Sequence, residues 1–234
     1  MIAVDQQRRL ILEGAYNVRD IGGYVTVDER RTRWHTLLRG DSLHRLSAAD
    51  QAALLAYGVC TSIDLRGPAE TRVEPSVFRA SEAVTYHHMP LLSDPGGDSA
   101  RNSLPALTDI YHHILDTAQE RLAQLLRTLA QPGALPALVH CTAGKDRTGL
   151  VVALLLGMAG VPAPTIAADY ALSDTYLGPG FRAEARKRAL AAGLDWNAYQ
   201  QLLICPPELM LDALAYLDER YDGVHGRVSR QYAV

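Results

Sequence analysis

The sequence predicts an α/β fold: a mainly parallel central sheet flanked by helices, with a helical C-terminal half. Two observations carry it. Short apolar runs alternate with helical patterns up to residue 140, and an almost unbroken succession of helical patterns follows.

Taken in chain order, Ile21-Gly22-Gly23 marks a turn before an extended run over Tyr24 to Val27, and Thr36 to Leu38 reads as a second strand. Ser47, with Asp50 three positions on, opens a helix as a capping box. Leu54 and Leu55 are expected on its apolar side, and Gly58 ends it. Val59 to Leu65 is apolar enough for a buried strand and stops at Arg66-Gly67-Pro68; Val84 to Met89 is a further strand. After a Gly-, Ser- and Asp-rich connection, apolar residues recur at intervals of three and four from Pro105 to about Ala130, which predicts one helix stopped by Gln131-Pro132-Gly133. Ala137 to His140 is a short strand leading straight into Cys141. Helices are expected over roughly 147–160, 163–173, 181–192, 196–204 and 207–221.

The 234 residues are 48% hydrophobic and 21% charged, enough for one sizeable core and short for two domains. A single domain over 1–234 is expected. A formal net charge of −3 gives no general positive field for nucleic acid or an anionic membrane, so an anionic substrate must be captured by local charge. Cys60, Cys141 and Cys205 are odd in number and far apart, without metal-site spacing, which suits a reducing compartment. The N-terminal residues lack the pattern of a signal peptide, and the longest apolar stretch, Leu150 to Val161, is well short of the roughly 20 residues of a transmembrane helix. A soluble, cytoplasmic protein is expected.

The chemistry is concentrated in His140-Cys141-Thr142-Ala143-Gly144-Lys145-Asp146-Arg147-Thr148-Gly149. A loop between a strand and a helix N-terminus directs successive amides at one spot, and the helix dipole adds partial positive charge there. Gly144 permits the tight turn, and the Arg147 guanidinium matches two phosphate oxygens in a way a lysine cannot. The same field favours thiolate: a free thiol of pKa ~8.5 falls to roughly 3.5–7.5 at helix N-termini or beside cations. Cys141 thus reads as a nucleophile, with residues 142–147 (Thr142, Ala143, Gly144, Lys145, Asp146 and Arg147) as the phosphate cradle. A nucleotide-binding P-loop does not fit, because Asp146 follows Gly144-Lys145 where Ser or Thr is required. Cys60 and Cys205 read as buried small hydrophobes.

This ten-residue stretch resembles the signature loop of cysteine-based protein tyrosine phosphatases, and more narrowly an atypical microbial group of them. Asn17-Val18-Arg19-Asp20-Ile21-Gly22-Gly23, Leu38-Arg39-Gly40-Asp41 and Ile63-Asp64-Leu65-Arg66 are similar to further segments of that group. The resemblance implies a protein tyrosine phosphatase-like fold and hydrolysis of phosphate monoesters through a phosphocysteine. The implied substrates are phosphotyrosine, with phosphoserine, phosphothreonine and phosphoinositides as further carriers. No cofactor or metal is implied, and the partner is the phosphoprotein or phosphoinositide itself. It implies that Arg147 clamps phosphate, that Thr148 places a hydroxyl near the sulfur, and that Lys145 meets extra phosphate charge. The general acid is expected at Asp146, then Asp64, then Asp94. Asp98 shares the loop of Asp94, and Asp109 has the conventional spacing but lies in a helical pattern. His140 is expected to fix the loop through hydrogen bonds, and residues 178–205 to form a helical lid. The adjacent pairs His87-His88 and His112-His113 lack metal spacing and read as surface or packing residues.

Overall fold

The computed structural model describes residues 8–92 and 106–221. Five strands, β1 (Arg19–Asp20), β2 (Leu37–Gly40), β3 (Thr61–Asp64), β4 (Thr85–His88) and β5 (Ala137–His140), form one sheet in the order β1-β2-β5-β3-β4. Among the described residues the β1–β2 pair is antiparallel and the other three pairs are parallel. In β2, β5 and β3, Gly40, His140 and Asp64 stand abreast at the carboxyl ends. The segments that follow them therefore leave the sheet along one edge, where ligands of open α/β sheets gather.

Both faces of the sheet are covered, and the strand alternation says how. Ala137, Val139, Ile63 and Leu65 point into the larger core, while Leu138 and Leu38 point into a second core with Val18, Leu43, Leu54, Val59 and Phe78. Helix α1 (Ala48–Tyr57) begins with the expected reciprocal cap between Ser47 and Asp50 and ends at Gly58 with φ 102°. Leu54 is buried, but Leu55 lies largely outside, because one narrow face of this helix meets the sheet. Helix α2 (Pro68–Val73) follows β3 directly.

The expected helix over 105–130 is two helices, α3 (Leu107–Thr117) and α4 (Gln119–Leu129), which part at Ala118 without a Gly or Pro to announce the break. The expected strand over Tyr24 to Val27 reduces to one isolated bridge, Val25 with Arg31. Helix α5 (Asp146–Met158) starts at the loop after β5, and its apolar run Leu150 to Leu154 is buried. The segment α6 (Ala163–Ala191) is two helical stretches, as expected, broken at Gly178, where φ is 57° and ψ −167°, just before Pro179. The short α7 (Trp196–Tyr199), a 3₁₀ turn (Gln200–Leu203) and α8 (Pro207–Tyr221) complete the chain described. Among the described residues no helix is long and apolar enough to cross a membrane.

Candidate functional site

The loop after β5 is held from behind by its carbonyls. Thr142 O accepts from the Ser42 amide (3.1 Å), and Ala143 O from Asn17 Nδ2 (2.9 Å). Gly144 O accepts from Asn17 Nδ2 (3.2 Å) and Arg39 Nη2 (2.7 Å), and Lys145 O from the Gly149 amide (2.8 Å). Among the described residues, the amides of 142–147 donate to no protein acceptor. Carbonyls are fixed on one side, so the free N–H groups are left on the side that lines the cavity, at the positive end of α5. Gly144 is essential to this path. Its φ is +63°, and a Cβ there would lie 2.4 Å from the carbonyl carbon and oxygen of Gly40.

The donors behind the loop are themselves buried ions. Arg39 Nη1 meets Asp169 Oδ2 at 2.5 Å and Arg19 Nε meets Asp169 Oδ1 at 3.1 Å, with the Tyr24 hydroxyl donating to the same carboxylate at 2.8 Å. Burial pushes the Asp169 carboxyl up, but the charges of Arg19 and Arg39 outweigh it and hold it well below the ordinary carboxylate range. Asn17 is oriented by Arg19, and its amide and that of Tyr16 donate to buried Asp41. Burial raises the Asp41 carboxyl to about 6 against the pull of those amides.

In front of the loop lies a cavity of about 880 Å³. Cys141, Thr142, Ala143, Asp146 and Arg147 lie at its lining, with apolar walls that include Leu107, Ile110, Ile114, Phe181, Tyr199 and Leu202. Arg147 forms a bidentate pair with Glu70, Nη1 to Oε2 at 2.5 Å and Nη2 to Oε1 at 2.9 Å, and also donates to Thr142 Oγ1 at 3.1 Å. Burial pushes the Glu70 carboxyl up, yet the hydrogen bonds and charge of Arg147 hold it at about 2. Burial likewise works against the guanidinium charge, and Glu70 together with the Cys141 sulfur raises the Arg147 pKa above its usual value.

The expected acids separate here. Asp146 lines the cavity; its Oδ1 accepts from the Tyr111 hydroxyl (2.5 Å) and forms an ion pair with the Lys145 ammonium (2.9 Å). Asp64 does not line it. Its fully buried carboxylate accepts from Arg66 Nε (2.9 Å) and Nη2 (2.7 Å) and from the Tyr86 hydroxyl (3.0 Å). Burial raises its pKa, but His140 and Arg66 outweigh that and bring it to about 2, so Asp64 carries no proton to give near neutral pH. In this structure Asp64 fixes Arg66 and stands outside the cavity lining. Asp109 lies at the cavity from the first turn of α3, whereas Asp94 and Asp98 fall outside the described residues.

Lys145 borders the cavity, but at 1% exposure its ammonium donates to Leu202 O (2.8 Å) and Ile204 O (2.9 Å). The His140 ring is fully buried with Nε2 3.9 Å from Asp64 Oδ2, and burial pushes its imidazole down to about 4, leaving it neutral near pH 7. The Thr148 hydroxyl is buried and has no hydrogen-bond partner among the described residues. Cys60, Cys141 and Cys205 are all free thiols, and burial pushes Cys205 up to about 12.

Glu70 and Asp169 escaped sequence reasoning. Glu70 sits at the third position of α2, where its carboxylate caps the Gly67 amide at 2.7 Å, so an acid there reads as an ordinary capping residue. Nothing local marks Asp169, 130 residues from Arg39.

Comparison with known proteins agrees with this geometry. A model of the tyrosine phosphatase family matches residues 10–234. A tyrosine-protein phosphatase of Nostoc commune is 38% identical over 145 residues, covering 60% of this chain and 49% of that protein. The triple specificity protein phosphatase PtpB of Mycobacterium tuberculosis is 32% identical over 196 residues, covering 70% of this chain and 68% of that protein. The chain thus spans about half the length of the first relative and two thirds of the second. With the family matched along nearly all its length, the chain belongs to the tyrosine phosphatase family.

Proposed function

We propose that the chain hydrolyses phosphate monoesters, with Cys141 as nucleophile and Arg147 and the amides of 142–147 as the phosphate cradle. The observation that carries this reading is the capture of the loop carbonyls from behind, which leaves a ring of free donors beside the sulfur. Cys141 Sγ attacks phosphorus, an S–P bond forms, and the P–O bond to the carrier breaks. The leaving oxygen takes a proton from Asp146. Water then attacks the phosphocysteine, returning a proton to Asp146 and releasing phosphate and thiolate. Asp146 suits that role because its Oδ1 is anchored by Tyr111 and Lys145 while Oδ2 has no hydrogen-bond partner among the described residues.

The apolar walls fit the ring of phosphotyrosine, which we take as the leading carrier. Phosphoserine, phosphothreonine and phosphoinositides are proposed as further carriers; the mycobacterial relative is named a triple specificity protein phosphatase. Residues 178–205 are read as a cover of the same domain, hinged at Gly178, because Phe181, Tyr199, Leu202 and Leu203 wall the cavity. Three free thiols suit a cytoplasmic location.

The test is hydrolysis of an aryl phosphate in EDTA. Cys141→Ser should abolish turnover, and full activity in that variant would end the reading. Asp146→Asn should slow hydrolysis of an alkyl phosphate, a poor leaving group, by roughly 10²-fold and flatten the basic limb of the pH profile. Asp64→Asn should leave that limb in place.

A further inference from the structure

An ammonium has three hydrogens to donate. On Lys145 two are donated, to Leu202 O at 2.8 Å and Ile204 O at 2.9 Å, and the ammonium also forms an ion pair with Asp146 Oδ1 at 2.9 Å. The residue is 1% exposed, and where it borders the cavity its ammonium is held by these three oxygens. Its partners are not incidental. Leu202 lies in the wall over the phosphate cradle, with Tyr199 and Leu203, and Asp146 opens the helix that forms the cradle. The lysine therefore ties the wall to the loop.

The rest of the cavity is poor in positive charge. Among its described lining residues Arg147 is the other Lys or Arg, and it is already paired with Glu70; His113 is the one histidine, and Asp109 and Asp146 add carboxyl groups. A substrate carrying a second phosphate near the first would meet carboxylates or the apolar wall of Ile110, Ile114 and Phe181.

We propose that Lys145 is a latch between the phosphate loop and residues 202–204 rather than a phosphate ligand, and that the site selects a single phosphate on an apolar or aromatic carrier against carriers with neighbouring phosphates. This deepens, and rests on, the reading of the chain as a phosphatase. A carrier with several phosphates must be drawn into a site whose other charges repel it, and like charges brought together cost affinity steeply.

The experiment compares kcat/KM of the full chain for a phosphotyrosine peptide, a phosphatidylinositol monophosphate in mixed micelles and a soluble inositol polyphosphate. Wild type and Lys145→Met are assayed side by side, and hydrogen exchange is followed across residues 199–205. Wild type should favour the peptide over the polyphosphate by about 100-fold. Lys145→Met should lower kcat/KM for the peptide and the lipid by the same factor and should speed exchange in 199–205. A loss confined to the polyphosphate, with exchange unchanged, would overturn the latch and make the lysine a ligand. Should Lys145→Met fail to fold, the wild-type ratio decides: comparable kcat/KM for peptide and polyphosphate would refute the selection. If wild type turns over no phosphate monoester, the phosphatase reading falls instead, and exchange in the variant still decides the latch.

Discussion

Replacing Gly144 with alanine tests whether the cradle depends on one close backbone approach. Two costs can be separated with a second glycine as reference. Gly144 and Gly133 both have left-handed φ, +63° and +78°. Alanine in that region costs roughly 1–2 kcal/mol at either site. At Gly133 a Cβ would meet nothing within 4 Å, so that cost is all Gly133→Ala should show. At Gly144 the Cβ would lie 2.4 Å from Gly40 C and O, against 3.4 Å for ordinary contact. The loop must therefore retreat by about 1 Å, which adds an overpacking cost on the order of 1–3 kcal/mol. Gly144→Ala should lose about 2–5 kcal/mol in urea unfolding. A 1 Å error in a reacting geometry costs on the order of 10² in rate, so kcat/KM on an aryl phosphate should fall about 100-fold in Gly144→Ala and stay near wild type in Gly133→Ala. Both assays are run well below either midpoint. Activity within about threefold of wild type in Gly144→Ala, or an equal loss in Gly133→Ala, would refute the dependence on this close approach.

Two further outcomes follow from the buried charges. Asp169→Asn strands Arg19 and Arg39, both fully buried, and should cost about 3–5 kcal/mol in urea unfolding; a loss below about 1 kcal/mol would mean that these guanidiniums do not depend on it. Glu70 is held at about 2 in the folded chain against an ordinary 4.5, so its contribution to stability is present above 4.5 and is lost as pH falls toward 2. The stability gap between wild type and Glu70→Gln should therefore close as pH is lowered through that window, and a gap that widens instead would contradict the pairing with Arg147.

What the sequence discloses follows the range of the interactions involved. The strand Ala137–His140 and the helix Pro207–Tyr221 keep the bounds expected of them, and the loop between β5 and α5 is one contiguous stretch whose residue types state their own chemistry. Helix α1 announces itself through a three-residue cap. The two-residue strand β1 has no periodicity to detect, and exists because Arg19 and Asp20 find Arg39 and Leu38 on β2. Glu70 reaches Arg147 across 77 residues, and Lys145 reaches Leu202 across 57. Such pairings depend on the register of the sheet and the bend at Gly178, which no local window encodes. Lys145 shows the consequence most clearly: in a phosphate-binding loop its type suggests a ligand, whereas the segment packed beside it turns it into a tether.

The buried ions behind the loop complete the electrostatics in front of it. Arg19 and Arg39 share one carboxylate, Asp169, so this cluster carries more positive than negative charge in the protein interior. An unmatched guanidinium there would be costly unless its remaining donors met acceptors, and Arg39 Nη2 meets the Gly144 carbonyl at 2.7 Å. That bond turns the peptide dipole between Gly144 and Lys145 so that its positive end faces away from Arg39, toward the cavity. The surplus charge and the oriented amides thus act with the same sign on whatever occupies the cradle, and in a poorly solvated interior neither is strongly screened. An anionic sulfur and an anionic phosphate are both favoured by this arrangement, from which it follows that the loop's motif alone, grafted without Asn17, Arg39 and Asp169 behind it, would not reproduce the site.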